Sequence, residues 1–404
     1  MKLLLAELLN LDGIEVTEYH NFDHEIIIEV EMIDTFATCP HCGSVSHSLH
    51  QNHWHLVRDL PMSNKDVFLK VNRRQFKCHF CQKPFSESLH FVEKRKKFTH
   101  RYADFIVQQL LHSNLASTAL NNNLSEWEVE RMIDYVSKKV LPLNLSSLKR
   151  LGIDEISLVK GQGKFIVVLV DLDTGKLVGL AREKKKAIIA EVLLSWGEEV
   201  LNQIEEVSID MARIYQSIAE DLCPNAVITV DRFHVTKMLN EELNRGRIAQ
   251  KKTAEDLIIT EREKLLKSMK GCKYILLKRE EDLREEQKEK LEIIKEASVT
   301  LKIMHELKEE FTQIFDQSEN WSEGTLKLAD WLKKARPFFK KTVKTIINWF
   351  GEVVGYFERR TNQGMVEGIN NRLKVIKRNG FGFKVFENFA KRALLFCHFP
   401  DSLA

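Results

Sequence analysis

The sequence lacks the features that would place the chain in a membrane or in the secretory pathway. In its 404 residues no apolar run approaches the roughly 18–20 residues that a membrane-spanning helix needs, and the longest candidates are interrupted by charges such as Glu191. The first residues, MKLLLAELL, include an acid at Glu7 and no small-residue cleavage pattern, so a secretory signal is not expected. We therefore expect a cytoplasmic protein with no membrane partner, whose cysteines stay reduced.

An excess of charge of one sign is also missing. The 61 lysine and arginine residues are nearly balanced by 58 acidic residues, so the net charge is only +3. That total does not indicate a polyanionic partner, and a nucleic-acid function has to rest on local charge and on motifs. Hydrophobic residues make up 44% of the chain and charged residues 29%, a globular composition that excludes wholesale disorder. The length predicts two to three folded units.

Four of the seven cysteines form two C-x-x-C pairs. Cys39 and Cys42 make the first pair, Cys78 and Cys81 make the second, and 35 residues separate the pairs. In a reducing compartment this spacing predicts one structural Zn²⁺ site, because each two-residue gap lets both sulfurs reach the same ion and four thiolates leave no open position. Two reactive dithiols are the alternative. Strand-like residues between the pairs fit a zinc ribbon, which we place in an N-terminal domain of residues 1–90.

A basic segment and three helical stretches follow the second cysteine pair. The helices are predicted at 99–111, at 114–120 and from Ser125 onward, and Ser125 forms a capping box with Glu128. A short helix, a tight turn and a well-capped helix predict a helix-turn-helix DNA-binding domain over residues 91–146, with a plain three-helix bundle as the alternative. The basic residues that we expect to contact DNA phosphates are Lys94, Arg95, Lys96, Lys97 and Arg101.

Two further features bear on DNA binding in this half of the chain. The candidate recognition helix opens with Glu126, Glu128 and Glu130, which repel phosphates, so the basic segment is expected to make most of the phosphate contacts. Eleven of the fourteen histidines lie between His20 and His112. They fit metal ligation, contacts to the DNA backbone or a solvated surface, and the last is the preferred interpretation.

From residue 151 the pattern changes to alternating strands and helices. Three strands that include a hairpin, followed by helix, strand, helix and strand, are in the order of a ribonuclease-H-like α/β fold. Continuous hydrophobicity in the middle strands suits a sheet that is covered on both faces. The strands are predicted at 151–159, 164–171, 176–181, 206–210 and 226–231.

Two acids lie at informative places in this pattern. Asp154 lies inside the first strand, where acids are uncommon, and Asp210 ends the fourth. If these strands are parallel neighbours, the two carboxylates converge, and Mg²⁺ is the natural ion between them. The alternative is that Asp210 caps the next helix and Asp154 lies at the surface. A third acid, Glu367, lies on the polar face of a helix predicted at 362–380, whose cations include Lys374 and Arg378, which are suited to phosphate contacts.

These motifs resemble the ISL3 family of bacterial insertion-sequence transposases, which have a DDE catalytic core. The resemblance covers nearly the whole chain. The matching blocks are CPHC…CHFC, the helix-turn-helix, GIDEIS around Asp154, SIDMARIYQ around Asp210, PNAVITVDRFHV through Asp231 and His234, and NQGMVEGINNRLKVIKRNGFG around Glu367.

The resemblance implies a DNA transposase that binds terminal inverted repeats and catalyses metal-dependent cleavage and strand transfer. The implied catalytic residues, which are also the ligands of Mg²⁺ (or Mn²⁺), are Asp154, Asp210 and Glu367. The implied accessory residues are Asp231, His234 and Tyr215, and the implied DNA contacts near the glutamate are Lys374, Lys377 and Arg378. The partners are double-stranded DNA, as transposon ends and target, and further copies of the chain in a dimer or larger assembly. A silent DNA-binding regulator and a structure-specific nuclease of the same fold are the alternatives.

The resemblance also implies that the catalytic core is split. Its parts are residues 147–235 and 360–395, with an all-α insertion at 236–359 between them. Within the insertion, three- and four-residue apolar steps between Leu291 and Ile314 predict one long helix, packed inside the insertion or against a second protomer. Its tryptophans, expected as core anchors with base stacking as the alternative, are Trp321, Trp331 and Trp349.

Overall fold

The computed structural model divides into two compact units. One comprises Met1–Pro142 with Ile376–Ala404, and the other comprises Leu143–Val375. None of the helices described in this structure is long and apolar enough to cross a membrane. The structure describes residues 2–157, 165–253, 259–360, 364–380, 383 and 385–399. Several predicted positions lie outside those residues, namely 158–159 and 164 of two strands and 362–363 and 381–382 of the block around Glu367.

The N-terminal part of the first unit is built on a five-stranded sheet. The strand order is β1-β2-β6-β5, with β7 also paired to β6, and β2–β6 is the parallel pair. The expected strands lie inside β5 and β6, whereas the first helix and the β1–β2 hairpin were not predicted. The elements are α1 (Lys2–Leu9), β1 (Ile14–Asn21), β2 (Glu25–Met32), β3 (Ala37–Thr38), β4 (Val45–Ser46), β5 (Leu49–Met62), β6 (Lys65–Lys77) and β7 (Pro84–Ser86).

Three helices follow the sheet as predicted. Each begins after a polar residue whose side chain accepts a backbone N–H, namely Thr99, Asn114 and Ser125. The capping box between Ser125 and Glu128 is formed. The helices are α2 (His100–Leu111), α3 (Leu115–Asn121) and α4 (Glu126–Val140).

The second unit contains the predicted ribonuclease-H-like sheet. Its strand order is β10-β9-β8-β11-β12. The pairs β8–β11 and β11–β12 are parallel, and the pairs made by β9 are antiparallel. This arrangement confirms the expected fold class. The elements are β8 (Arg150–Ser157), β9 (Phe165–Asp171), β10 (Lys176–Ala181), α5 (Lys186–Leu194), α6 (Glu198–Gln203), β11 (Glu206–Ile209), α7 (Arg213–Leu222) and β12 (Val227–Val230).

The segment between the last strand and the glutamate is helical throughout its described residues, as predicted. Its buried side chains form one hydrophobic cluster with those of the sheet, so sheet and insertion share a core. The helices, including the one that carries the glutamate, are α8 (Arg232–Thr253), α9 (Ile259–Met269), α10 (Lys273–Leu277), α11 (Glu285–Ala297), α12 (Val299–Gln317), α13 (Trp321–Ala335), α14 (Lys340–Asn348), α15 (Phe350–Arg359) and α16 (Gly364–Asn379).

The prediction of one long helix between Leu291 and Ile314 is wrong. Ser298 is extended, with φ −147° and ψ 105°, and it separates α11 from α12. Its hydroxyl accepts the Leu301 N–H at 3.3 Å and donates to Gln250 at 3.0 Å, so the serine acts as an N-cap that restarts the helix. The apolar faces of both helices pack within the chain.

The tryptophans of the insertion divide into two groups. Trp331 and Trp349 are buried in the core, and the indole N–H of Trp331 donates to the Leu307 carbonyl oxygen at 2.8 Å. Trp321 is 47% exposed at the start of α13, so it is not a core anchor.

The C-terminal helix α17 (Phe386–His398) lies in the first unit. Its Leu395 lies in the hydrophobic cluster of α2 and α4, and the Arg392 guanidinium donates to the carbonyl oxygens of Leu110 and Ser113. The compact units therefore divide the chain near Ile376, inside the segment 360–395 that we assigned to the core.

Candidate active site and metal centre

The parallel pairing of β8 and β11 places two predicted acids side by side. Ile153 pairs with Ile209, so Asp154 and Asp210 are the next residues on adjacent strands. Both residues are half-buried, and burial raises the pKa of each carboxyl. The negative charges of Glu155 and Asp154 raise the pKa of Asp210 further, whereas Lys184 lowers it. The expected convergence of the two strands is present.

Asp210 has a carboxylate oxygen without a protein partner. Its Oδ1 atom is buried and no hydrogen-bond donor of the described residues reaches it. A buried carboxylate oxygen without a partner is costly, and such groups usually bind a cation or a donor. The Asp210 carboxylate is therefore chemically suited to a divalent ion, because Mg²⁺ and Mn²⁺ prefer hard oxygen ligands.

Asp154 is oriented by two donors. The backbone N–H of Glu155 donates to its Oδ1 at 2.7 Å, and the buried Asn370 amide donates to its Oδ2 at 2.6 Å. Asn370 lies on α16, so this bond connects the glutamate helix to β8. Gly152 allows the close approach: a Cβ there would lie 2.7 Å from Leu172 and 3.1 Å from Val366.

Glu367 lies one helical turn before Asn370 on the same side of α16. The apolar face of the helix is buried as predicted, and Glu367 is exposed. It lines a cavity of about 840 Å³ together with Asp154, Asp231 and His234. The ligand oxygens of the three predicted acids do not all lie within 4.8 Å of one another. Glu367 and Asp154 thus line the same cavity, Asp210 is the neighbour of Asp154 in the sheet but does not line it, and the three acids do not form a tight ligand set.

Asp231 and His234 form a pair at the same cavity. Asp231 follows β12, and its backbone N–H donates to the Ile209 carbonyl oxygen at 3.0 Å, next to Asp210. Its carboxylate accepts the Phe233 N–H at 3.0 Å and lies 3.2 Å from Nδ1 of His234. The nearby Asp231 carboxylate raises the pKa of His234, although burial opposes it. Asp231 therefore both caps α8 and holds a readily protonated imidazole at the cavity.

Tyr215 contacts a residue that sequence reasoning missed. Its hydroxyl is fully enclosed and donates to Oε2 of Glu155 at 3.1 Å, and burial raises the pKa of the phenol. Lys184 lies 2.6 Å from the same oxygen and 4.9 Å from the Tyr215 ring centroid. Glu155 lines the cavity beside Asp154. The sequence does indicate this residue, because GIDEIS places two successive acids, Asp154 and Glu155, in one strand. The prediction named only the first of them.

Of the three predicted DNA-binding cations on α16, Lys374 lines the cavity, whereas Lys377 and Arg378 do not. Lys374 is exposed and lines the cavity, one to two turns beyond Glu367. Its ammonium lies 3.4 Å from the Asn371 side-chain oxygen. Lys377 and Arg378 occupy the last turn of the helix, where Arg378 is exposed.

The four cysteines form a compact group in the first unit, as the spacing predicted. All four sulfurs lie within 4.8 Å of one another, with 3.7 Å between Cys39 and Cys81 and 3.5 Å between Cys42 and Cys78. A tetrahedral Zn²⁺ with bonds near 2.3 Å requires sulfur separations of about 3.8 Å, whereas a disulfide requires about 2 Å. The group therefore fits four thiolate ligands around one ion.

The turns after each cysteine pair have the backbone shape of a zinc knuckle. Gly43 and Gln82 adopt left-handed φ values of 75° and 58°. The Gly43 N–H donates to the Cys39 carbonyl oxygen at 2.9 Å. Hydrogen bonds from the backbone and side chain of Ser44 lower the pKa of Cys42 to about 6, which favours the thiolate form that binds metal.

One of the predicted phosphate contacts has an internal role instead. The Arg101 guanidinium donates to the buried Asp59 carboxylate and to the Leu9 carbonyl oxygen. Breaking that pair to bind DNA would leave the Asp59 carboxylate buried and unpaired. We therefore assign Arg101 a structural role in place of the predicted phosphate contact. Lys94, Arg95 and Lys97 are exposed, and Lys96 is half-buried against Phe98 and Tyr135.

Known protein families match the chain in three segments, which cover the cysteine group, the three helices that follow it and the sheet with its helical insertion. Residues 151–393 match a family model described as a transposase, residues 35–81 match the zinc finger of transposases IS204/IS1001/IS1096/IS1165, and residues 87–137 match the helix-turn-helix domain of transposase family ISL3. The chain is 26% identical to the transposase of insertion sequence element IS1001 from Bordetella parapertussis, over 87% of this chain and 86% of that one. It is 29% identical to the transposase of element IS1557 from Mycobacterium tuberculosis, over 59% of this chain and 58% of that one.

Proposed function

The chain belongs to the ISL3 family of transposases, and from that premise we propose that it cuts the ends of its own insertion sequence and joins them to target DNA by metal-dependent phosphoryl transfer. The catalytic carboxylates are Asp154, Asp210 and Glu367. The proposal rests on one observation above the others, the buried and unpaired Asp210 oxygen in register beside Asp154. A carboxylate in that state favours bound divalent metal.

The residues present fit Mg²⁺ or Mn²⁺. Asp154 and Asp210 supply oxygen ligands from the rigid sheet, and the exposed Glu367 supplies a third by rotation of its side chain toward them. When bound, such ions activate the attacking oxygen and offset the charge that develops on the phosphate. The same carboxylates serve cleavage by water and joining by the freed 3′-hydroxyl, because both are displacements at phosphorus.

The other residues of the cavity hold the DNA strand. A protonated His234, kept in place by Asp231, donates a hydrogen bond to a phosphate oxygen. Lys374 adds a positive charge at the cavity wall. Glu155 is fixed by Tyr215 and Lys184, so it contributes negative charge beside Asp154 without turning away.

The first unit holds the terminal inverted repeats through its zinc ribbon and helix-turn-helix. Because two ends have to be cut and joined together, the active assembly is a dimer or a larger complex of this chain. End binding and assembly do not use the catalytic carboxylates. DNA binding therefore persists when those carboxylates are neutralised.

A cleavage and joining assay tests the proposed function. Purified full-length protein is incubated with labelled DNA that contains the natural flanks of its reading frame, with scrambled flanks as control and a supercoiled plasmid as target. The reactions contain Mg²⁺, Mn²⁺ or no added divalent ion. We expect cuts at the natural ends with either metal, none without added metal, and end–plasmid joints. Cleavage without joints would indicate a structure-specific nuclease, and binding without cleavage would indicate a silent regulator.

Asn370→Ala is expected to reduce cleavage about 10- to 100-fold, mainly by raising the Mg²⁺ concentration required for half-maximal rate. Asn370 is a positioning residue, because its amide contacts Asp154 rather than DNA. Without that bond Asp154 loses a defined orientation, and α16 loses a tie to β8. The measurement is the cleavage rate across a Mg²⁺ titration.

Asn371→Ala is the matched control for this change. Asn371 is the next residue on the same helix and is exposed, with its amide oxygen near Lys374. Its replacement should leave the Mg²⁺ titration unchanged. Equal titration curves for the Asn370 variant and the wild type would remove Asn370 from metal positioning.

A further inference from the structure

A narrow groove lined by cations lies in the first unit. Its volume is about 280 Å³, and it lies between the β5–β6 ribbon and the segment before α2. No aspartate or glutamate is among the described residues that line it. The basic residues of its walls are His53 and His55 from β5, Arg73 from β6, and Lys94, Arg95 and Lys96 from the segment before α2.

The backbone explains why these side chains meet. His53 and Arg73 are direct partners in the antiparallel pair, and His55, two residues along, faces the same side. The Arg73 Nε donates to the Glu87 carbonyl oxygen at 3.2 Å, which fixes the guanidinium over the groove. Arg95 has a left-handed φ of 66°, a strained conformation for this residue type that turns the loop across the ribbon.

The groove cations are not neutralised by acids. Within the described residues, no carboxylate lies in ion-pair distance of Arg73, Lys94 or Arg95, whereas cations elsewhere in the sheet are paired, as Arg58 is with Asp66 and Arg74 with Glu87. Burial lowers the pKa of His55, and the positive charges of Arg73 and His53 lower it further. The groove thus concentrates positive charge that no carboxylate of the described residues pairs with.

The N-terminal turn of α4 has the opposite character. Glu126 and Glu128 lie in its first turn, and the Glu128 carboxylate is committed to the capping box with Ser125. The pKa of Glu128 is lowered by these hydrogen bonds, so its negative charge persists. A DNA phosphate placed at this turn would meet repulsion, although helix N-termini otherwise attract anions.

We propose that the groove between β5, β6 and residues 94–96 is the main binding site for the phosphate backbone of double-stranded DNA in this unit, in place of the first turn of α4. The proposal rests on the proposed function, since it names how the DNA end is held. A DNA backbone fits these observations because each cation of the groove walls can pair with one phosphate. Each such pair releases a counterion from the DNA.

Paired charge removals test the assignment in the full-length protein. The groove variant is Arg73→Gln with Lys94→Gln, and the matched control on α4 is Arg131→Gln with Lys138→Gln, which removes the same charge from two exposed positions. Affinity for a labelled duplex with the natural flanks is measured across a salt series. For the groove variant we expect binding weakened about 10-fold or more at moderate salt, with the slope of log affinity against log salt reduced by about 2. The α4 variant should weaken binding less than the groove variant does, because we place the main phosphate contacts in the groove.

Three further measurements separate the possible outcomes. Zinc content and thermal unfolding verify that the groove variant is folded, and Arg73→Lys with Lys94→Arg should restore affinity because it restores charge. A groove variant that binds as the wild type does, or an equal or larger loss in the α4 variant, would overturn the proposal while leaving the transposase function intact. A wild-type protein that binds and cleaves no end DNA would instead contradict the proposed function.

Discussion

Asp154→Asn, Asp210→Asn and Glu367→Gln are each expected to lower the rate of end cleavage by about 10³-fold or more while leaving the affinity for end DNA within about 2-fold. Metal-ion stabilisation of the developing charge amounts to several kcal/mol, and each ~1.4 kcal/mol corresponds to a factor of ten in rate. Asp210→Asn should have the clearest effect, because it replaces the unpaired buried oxygen that we assign to the metal. The measurement is single-turnover cleavage beside an equilibrium binding assay with the same DNA.

Asp221→Asn is the control for the loss of a carboxylate as such. Asp221 ends α7 in the same unit, is largely exposed and pairs with Lys186, away from the cavity. Its replacement should leave cleavage unchanged. Any one of the three acids whose amide variant still cleaves at the wild-type rate is not a catalytic ligand, and loss of DNA affinity in parallel with cleavage would indicate unfolding rather than lost chemistry.

The parts of the site that follow from strand order could be predicted from the sequence. Asp154 and Asp210 converge because a ribonuclease-H-like order makes their strands parallel neighbours, and the order itself was readable from the apolar runs and turns. Glu367 could be placed on the polar face of α16 because Val366, Ile369 and Leu373 repeat at helical spacing and are buried. The helix-turn-helix was equally readable, since Ser125 and Glu128 form a local capping signal.

Contacts between residues that are distant in sequence could not be predicted in this way. Nothing local indicates that Tyr215 and Lys184 share one oxygen of Glu155, because that contact depends on how α7 and the chain after β10 pack against β8. The amphipathic pattern of α17 predicts a buried face but not the partner that covers it, which is α2 with α4. At Ser298 the local pattern was misleading. The apolar spacing is regular across this residue and predicts one helix, but Ser298 ends α11 and caps α12.

The fixed and mobile parts of the site follow from the same contacts. Asp154 and Asp210 are held by the sheet, where burial limits the rotation of both side chains and two hydrogen bonds orient Asp154. Glu367 is the exposed member, on a helix joined to Asp154 by Asn370. Metal binding would therefore bring one flexible side chain to two rigid ones, which explains how the acids can share a region without touching in this structure.

Cys78→Ser is expected to abolish stoichiometric zinc binding and to unfold the ribbon around the metal group, residues 37–46 and 78–86, which carry β3, β4 and β7. Cys78 is fully buried, and the small hydrophobic cluster around the metal group includes only Ala37, Phe76 and Phe85 besides cysteines. Three such side chains contribute at most about 2–3 kcal/mol each, whereas a structural zinc site contributes on the order of 10 kcal/mol in small zinc modules. The measurements are zinc content per chain and the rate of proteolysis within the ribbon.

The control is Cys223→Ala, which removes a buried thiol in the second unit that has no part in the metal group. That variant should keep one zinc per chain and a protease-resistant ribbon, although the small buried void lowers stability modestly. Chelation of the wild-type protein should reproduce the Cys78→Ser pattern, because the metal–thiolate bonds that hold the ribbon together are lost with the ion. A wild-type protein whose ribbon stays resistant after complete zinc removal would mean that the fold of this segment depends on its strands alone.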